Sequence, residues 1–422
     1  MKPLSEIAAQ LQWYDPQALS VAAASEFIAR LVEPLTGEET LPLMQALGRV
    51  LSVDIVSPID VPPHDNSAMD GYALAGDCLL SGQGLYLKVV GTALAGTAWR
   101  GIVQAGECVK VMTGAIMPAG LNTVVPQELV SLQDGHIHLP SMRPLQPGAN
   151  RRLRGEDLQA GQPALQKGEH LSPAALGLLA SLGLQTVRVR PRLRVAYFST
   201  GDEILSLGDA PREGAVYDSN RYTVFGLLSR LGCEVIDLGV VRDEPAALEA
   251  AFMDAAGRSD AIITSGGVSV GEADFTKTMM RKLGDVAFWR IAMRPGRPMA
   301  VGRIGQSLLF GLPGNPVAVM VTFLAFVRPA LLKLMGRSDA ALPMLQARSL
   351  QHLRKKPGRT EYQRGVVSVA ADGSLCVRTT GNQGSGVLSS MVQANGLLVL
   401  HHDQGDIAPG DSVDVMMFDG AI

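Results

Sequence analysis

The chain has 422 residues, 47 % hydrophobic and 18 % charged, which suits about three domains, with room for a fourth, at roughly 100–200 residues each and excludes global disorder. A formal net charge of −3 gives no electrostatic case for nucleic acid or an anionic membrane as partner. Cys78, Cys108, Cys233 and Cys376 are widely spaced with no CxxC pair, which argues against a disulfide framework or a zinc site and fits a reducing compartment.

The N-terminus, MKPLSE, carries no apolar signal core, so secretion is not expected. Residues 60–157 are rich in Gly and Pro, with short alternating runs at 86–90 and 108–112, the pattern of a small β-rich insertion. The apolar run 193–198, ending in Ser-Thr-Gly, predicts a buried strand. Asp218, Ser219 and Asn220 offer helix N-caps. Val224, Leu227, Leu228 and Leu231 follow at helical spacing, and Gly232 supplies the stop. A second strand is predicted at 235–240, then a helix that Asp243 can cap, with Pro245 in its first turn. A third strand at 261–264 opens into Ser265-Gly266-Gly267, and runs at 286–291 and 308–310 complete the alternation. Asn315-Pro316 starts an apolar run that ends at Arg328-Pro329, too short for a bilayer and expected as a buried helix. Beyond residue 340, short runs at 365–369, 375–379 and 397–400 predict a C-terminal β-barrel or sandwich.

Alternating strands and helices predict a mostly parallel sheet covered on both faces, with ligands at the carboxyl ends of its strands. Asp202-Glu203, Asp243 and the segment 265–274 all fall at such ends. In that segment, glycines let backbone N–H groups approach a phosphate, and Asp274 is placed to hold a bridging cation. A tight turn with ordinary capping explains the same pattern. Glu203 and Asp243 are oxygen donors of the kind Mg²⁺ prefers. Either alone reads as a cap or surface charge; three acids at neighbouring strand ends favour function. Arg290, Arg294 and Arg297 flank Pro295-Gly296, a stiff turn from which cations can converge on a tetrahedral oxyanion. Asp70 sits in a polar loop, and Arg151, Arg152 and Arg154 precede Glu156-Asp157, a mixture that also suits a solvated surface. The rigid connection 311–316 is either a structural turn or a site wall. His401-His402 reads as solvent-facing rather than metal-binding.

Together these segments resemble the molybdopterin molybdotransferase family, the MoeA type also found as the E domain of gephyrin. The resemblance spans nearly the whole chain. It rests on DNSAMDGYA (65–73), RRLRGED (151–157), STGDE (199–203), SGGVSVGEADFTK (265–277), GLPGNP (311–316) and EYQRG (361–365). It implies an α/β multidomain fold. A central doubly wound, mostly parallel α/β domain (1–34 and 186–337) would resemble the molybdopterin adenylyltransferases. With it would come an elongated linking domain (35–60 and 158–185), a β-rich inserted domain (61–157) and a C-terminal β-barrel domain (338–422). It also implies a cytoplasmic homodimer whose active sites lie between the central domain of one subunit and elements of its partner. The reaction implied is Mg²⁺-dependent insertion of molybdate into adenylated molybdopterin with release of AMP. Transient contact with other proteins of the pathway would accompany it.

Residue by residue, the resemblance implies a catalytic set of Asp70, Asp157, Glu203, Asp243 and Asp274, with the last three as Mg²⁺ ligands. Arg152, Ser265, Gly266, Gly267, Ser269, Pro313, Pro316, Arg364 and Ser385 match positions expected to bind the substrates, Arg364 and Ser385 through the oxyanion. The sequence departs from the family at Arg290, Arg294 and Arg297, where lysines are expected; a planar fork replaces a compact ammonium there. Two rival readings share parts of the pattern. A nucleotide-processing hydrolase or adenylyltransferase needs neither the RRLRGED insertion nor the C-terminal domain. A peptide-binding scaffold of the gephyrin type needs no acids at three strand ends facing a basic cluster.

Overall fold

The apolar run at 193–198 forms β1 (Arg194–Thr200), buried from Val195 onward. Its side chains alternate between two cores. Val195 and Tyr197 join Phe27, Val224 and Leu228 on one face; Ala196 and Phe198 join Leu248 and Phe252 on the other. A strand buried on both faces has no solvent side, so its sequence is continuously apolar. The computed structural model describes residues 3–11, 14–81, 83–141, 145–268 and 275–420.

From β1 the chain runs through α1 (Ser219–Arg230), β2 (Glu234–Val241), α2 (Pro245–Arg258), β3 (Ala261–Ser265), α3 (Phe275–Leu283), β4 (Gly284–Arg290), β5 (Pro298–Ile304) and β6 (Ser307–Leu312). The sheet order is β2-β1-β3-β6-β5-β4. The first four strands are parallel, and β5 and β4 close the edge as an antiparallel meander. The expected alternation therefore ends before β4. β5 escapes a reading by periodicity because Pro298, Gly302 and Arg303 interrupt its apolar run.

Asp218 caps α1 as expected, accepting from the Arg221 N–H at 3.0 Å. Asp243 does not cap α2. The N-cap is Glu244, without a side-chain bond, and Pro245 has no N–H that needs a partner. The apolar helix also outruns its expected end. Pro316–Thr322 passes through a π-helical turn, Phe323–Val327, into Arg328–Leu334. The wider turn accommodates Pro329, which cannot donate to the turn before it. This 19-residue helix is long and apolar enough to cross a membrane by composition, but 83 % of its most apolar window is buried inside the protein. Arg328 is tolerated there because its guanidinium donates to the carbonyls of Gly420, at 2.8 Å, and Ala341.

The insertion is a six-stranded sheet with Gly71–Leu74 between Thr123–Pro126 and Glu107–Val111. Two short antiparallel ladders, Glu39–Pro42 with Thr186–Val189 and Ile55–Val56 with Pro163–Leu165, join helix Pro173–Ser181 around a core that includes Leu51, Leu171 and Leu179. At the C-terminus, Thr360–Val369, Leu375–Thr379, Met344–Ser349, Ser412–Met417 and Gly396–Leu400 pair in that order. Gly396–Leu400 then pairs back onto Thr360–Val369, closing a five-stranded barrel. Met293–Arg294 adds to the barrel in parallel, with Arg294 opposite Glu361, and so ties it to the central domain.

Phe252 packs edge-to-face on Phe198 with centroids 5.0 Å apart. Phe252→Ala should destabilise the central domain by about 3–5 kcal/mol, read as a lower denaturant midpoint; an unchanged midpoint would contradict this core assignment.

Candidate active site

Strand order reverses between β1 and β3: β2 lies beyond β1, and β6 beyond β3. Such a reversal opens a crevice at the carboxyl ends of the strands. Ser265-Gly266-Gly267 leaves β3 at this point. Gly266 and Gly267 have φ of +89° and +62°. A Cβ on Gly266 would lie 2.3 Å from the Thr200 carbonyl oxygen, and one on Gly267 would lie 2.4 Å from Thr276 Oγ1. Backbone conformation and space therefore both require glycine.

Two of the expected contacts of this turn are spent internally. The Gly266 N–H donates to the Leu312 carbonyl at 3.2 Å, so it is not free for a phosphate. The Ser265 hydroxyl turns into the core, 2.7 Å from the Tyr197 hydroxyl and 3.3 Å from Ser199 Oγ. Burial pushes the Tyr197 phenol far above its usual pKa, so this network stays protonated and neutral.

A cleft of about 540 Å³ opens over the turn. Glu203, Gly266 and Gly267 form one side. Arg294, Pro295, Gly296 and Arg297 form another, and Pro313, Asn315, Arg359, Gln383 and Ser385 complete it. A second lobe of about 520 Å³ shares Glu203, Gly266, Gly314 and Asn315 with the first. Thr200, Asp218, Asn220, Ser265 and Pro316 also line it. Among the described residues, Thr200 Oγ1, Asp218 Oδ2 and Asn220 Oδ1 are buried without a hydrogen-bond partner, an acceptor-rich wall of the kind that marks functional sites.

The two lobes thus gather Glu203, Ser265, Gly266, Gly267, Arg294, Arg297, Pro313, Pro316 and Ser385. Arg294 and Arg297 are exposed, and among the described residues neither guanidinium makes a hydrogen bond or ion pair. Asp243 stands beside the cleft and lines neither lobe. Its N–H is 3.5 Å from Asp202 Oδ1, and its Oδ1 accepts from the Thr276 hydroxyl at 3.3 Å. Asp274 and Ser269 lie outside the described residues. Among the described residues no three acidic, His or Cys side chains converge as a ligand set. The donors present are all oxygen, which suits a hard cation held by one or two carboxylates together with substrate phosphates.

Two expectations need correction. Arg290 ends β4 opposite Pro298, is exposed, and lines neither lobe. Arg364 is 0 % exposed. It donates to Ser390 Oγ at 2.9 Å and to the carbonyls of Gln383 (3.2 Å), Asn382 (3.1 Å) and Gly384 (2.9 Å). Burial, reinforced by the Arg294 charge, pulls its pKa below the ordinary arginine value. It therefore shapes the loop that carries Ser385 instead of facing a ligand. His401 is exposed as expected, but its Nε2 is 2.7 Å from Asp414 Oδ2.

Asp70, Arg152 and Asp157 lie in the inserted region and line neither lobe. Arg151–Arg152 pairs with Asn66–Ser67, so the two motifs sit side by side. Asp65 and Glu156 accept backbone N–H groups of Arg154 and Leu153 at 2.8 and 2.7 Å, leaving Arg152 and Asp157 exposed. The Thr113 hydroxyl and N–H, each 2.7 Å from Asp70 Oδ1, hold that carboxyl below the usual range. Sequence reasoning missed Arg359 and Gln383. It read Asp218 and Asn220 only as caps; the buried Asn220 amide also donates to the Gly314 carbonyl at 2.7 Å.

Three family profiles cover most of the chain: "MoeA N-terminal region (domain I and II)" at residues 19–183, "Probable molybdopterin binding domain" at 196–333 and "MoeA C-terminal region (domain IV)" at 346–418. The chain belongs to the MoeA family. A molybdopterin molybdenumtransferase of Haemophilus influenzae is 42 % identical over 398 residues, covering 94 % of this chain and 97 % of that one. Gephyrin of Dictyostelium discoideum is 32 % identical, covering 90 % of this chain and 59 % of gephyrin. A molybdopterin biosynthesis MoeA protein of Pyrococcus horikoshii OT3 superposes with a TM-score of 0.82 at 27 % identity, covering 95 % of this chain and 100 % of that one. This member of the MoeA family is a transferase with a role in molybdenum cofactor biosynthesis.

Replacing Arg364 with Met keeps most of its volume and removes its donors. Amides 381–386 should then exchange hydrogen at least about tenfold faster, since each hydrogen bond to a charged group contributes about 1.5–3 kcal/mol; protection equal to the parent would restore Arg364 to the list of free cations.

Proposed function

We propose that this chain inserts molybdate into adenylated molybdopterin, releasing AMP with Mg²⁺ as cofactor. The observation that carries the reading is the meeting, in one cleft at the strand-order reversal, of Arg294 and Arg297, which have no side-chain partner among the described residues, with Glu203 and the Gly266-Gly267 turn. A tetrahedral dianion suits the guanidinium side. The acceptor-rich second lobe suits a ring that carries amino and N–H groups.

Mg²⁺, when bound, would neutralise the phosphates and polarise the phosphoanhydride that breaks. Glu203 would hold it, with Asp243 and Asp274 completing the set. Arg294, Arg297 and Ser385 would hold molybdate, while Pro313 and Pro316 keep the wall rigid. No cysteine of the protein is needed, because the dithiolene supplies the soft ligands. Catalysis on this reading is mainly positioning and fixed electrostatics. Asp70, Arg152 and Asp157 would complete the cleft from a second copy in a homodimer. The division into four domains, the cytoplasmic setting and transient contacts with other proteins of the pathway belong to the same proposal.

The test is to combine purified protein, adenylated molybdopterin, Mg²⁺ and molybdate and to follow AMP by chromatography. AMP should appear only with both ions present. Glu203→Gln should lower kcat roughly 10²-fold, and Asp274→Ala should abolish release without unfolding the chain. AMP release indifferent to molybdate would overturn the reaction.

A further inference from the structure

The second lobe differs from the first in charge and in surface. Among the described residues that line it none is Lys, Arg or His, and Glu203 and Asp218 are acidic. Its outer wall is the pair Val216–Tyr217, held in parallel register against Ile204–Leu205. The intervening segment 206–215 folds back on this ladder. The Ser206 N–H donates to the Asp209 carboxyl at 2.8 Å, and the Arg212 guanidinium donates to the Asp202 carbonyl. The Tyr217 hydroxyl donates to the Asp209 carbonyl at 2.9 Å. That bond fixes the side chain and spends its one donor, yet the residue remains 43 % exposed. What Tyr217 offers the lobe is therefore its ring, a surface on which a flat heterocycle can stack.

The inner wall supplies a polar edge. Asp218 and Asn220 are both buried. Asp218 Oδ1 is spent on the Arg221 N–H, and the Asn220 amide donates to the Gly314 carbonyl. Oδ2 of Asp218 and Oδ1 of Asn220 are left without a partner among the described residues. A buried carboxyl oxygen so placed is costly unless a ligand or water donates to it. The two rings of an adenylated pterin meet such an edge differently. A pterin carries its 2-amino group beside the N3–H, two donors side by side. In adenine the amino group is flanked by the ring acceptors N1 and N7, which oppose an acceptor wall.

We propose that Tyr217 and Asp218 are specificity-determining residues: the second lobe seats the pterin ring, stacked on Tyr217 with its donor edge toward Asp218, and excludes the adenine. This rests on the reading of the cleft as the site of an adenylated pterin, and it adds which of the two rings enters this lobe. Both rings offer a flat face to Tyr217; the donor pair decides for the pterin. The Asp218 carboxyl then has two roles, one oxygen capping α1 and the other reading the substrate.

Fluorescence titration of the full chain with pterin and with lumazine, in which an oxo group replaces the 2-amino group, tests this alongside calorimetric titration with AMP. D218N keeps the oxygen that caps the helix, since Asn caps as well as Asp, and puts a donor where the free acceptor stood. It should weaken pterin binding about tenfold or more and lumazine binding by no more than about twofold, because only pterin loses a donor–acceptor match. A collapsed lobe would lose both alike. Y217A should weaken pterin and lumazine together by about tenfold, while Y217F, which keeps the ring, stays within about threefold of the parent. AMP affinity should stay within about twofold in all three variants. Equal losses of pterin and lumazine in D218N, or no loss of either, overturn the proposal, as do unchanged pterin binding in Y217A and a loss confined to AMP. Selective pterin binding by the parent without molybdate-dependent AMP release sinks the reaction proposed above and leaves this assignment standing. No pterin binding at millimolar concentration sinks this assignment and leaves the reaction to its own test.

Discussion

The ends of β1 and β3 run closer together than two side-chain-bearing residues could. Gly266 lies against the Thr200 carbonyl, and its N–H closes onto Leu312. One backbone turn thus joins the ends of three parallel strands, β1, β3 and β6. From that junction Glu203 departs on one side and the Pro313 to Pro316 wall on another, and the two lobes of the cleft meet over it. A Cβ at Gly266 would force β1 and β3 apart and break the junction before it touched any ligand.

Depth separates the arginines compared here: the most buried ones are satisfied by hydrogen bonds, and those that line the cleft are more exposed. Arg364 and Arg328 are deep and spend their donors on carbonyls and a hydroxyl. Arg294 and Arg297 are exposed without a partner among the described residues. Arg359 stands between these cases, with one edge on a buried carboxylate and the other at the cleft. The residue types are the same throughout; depth and strand parity decide which guanidinium is structural and which is available.

The cleft is also a product of two domains. The central sheet supplies the glycine turn and Glu203, and the barrel supplies Arg359, Gln383 and Ser385. The two-residue ladder of Met293–Arg294 on the barrel strand joins them. Such a short ladder is weak alone, but it is backed by a shared core that includes Trp289, Met293, Tyr362 and Leu397. Packing of that core holds the cationic wall at a fixed distance from the acidic one.

Much was legible from local pattern. Buried strands, the cap at Asp218 and the barrel strands follow from apolar runs and turn residues, because these signals depend on neighbours within a few positions. The STGDE motif named Glu203, the Pro295-Gly296 turn pointed to Arg294 and Arg297, and the family resemblance named Ser385; the fold brings the four together. Register and depth were not legible. Nothing near Arg290 shows that it lies outside the lining of the cleft, and nothing in EYQRG shows that Arg364 faces a loop while Arg359, outside the motif, lines the cleft. Pro329 similarly read as a helix end until the π turn upstream accommodated it. Periodicity is a property of adjacent residues, so the sequence alone determined most of the elements and the family. Which side chains face the same water-filled space depends on partners tens to hundreds of positions away, and only tertiary packing decided that.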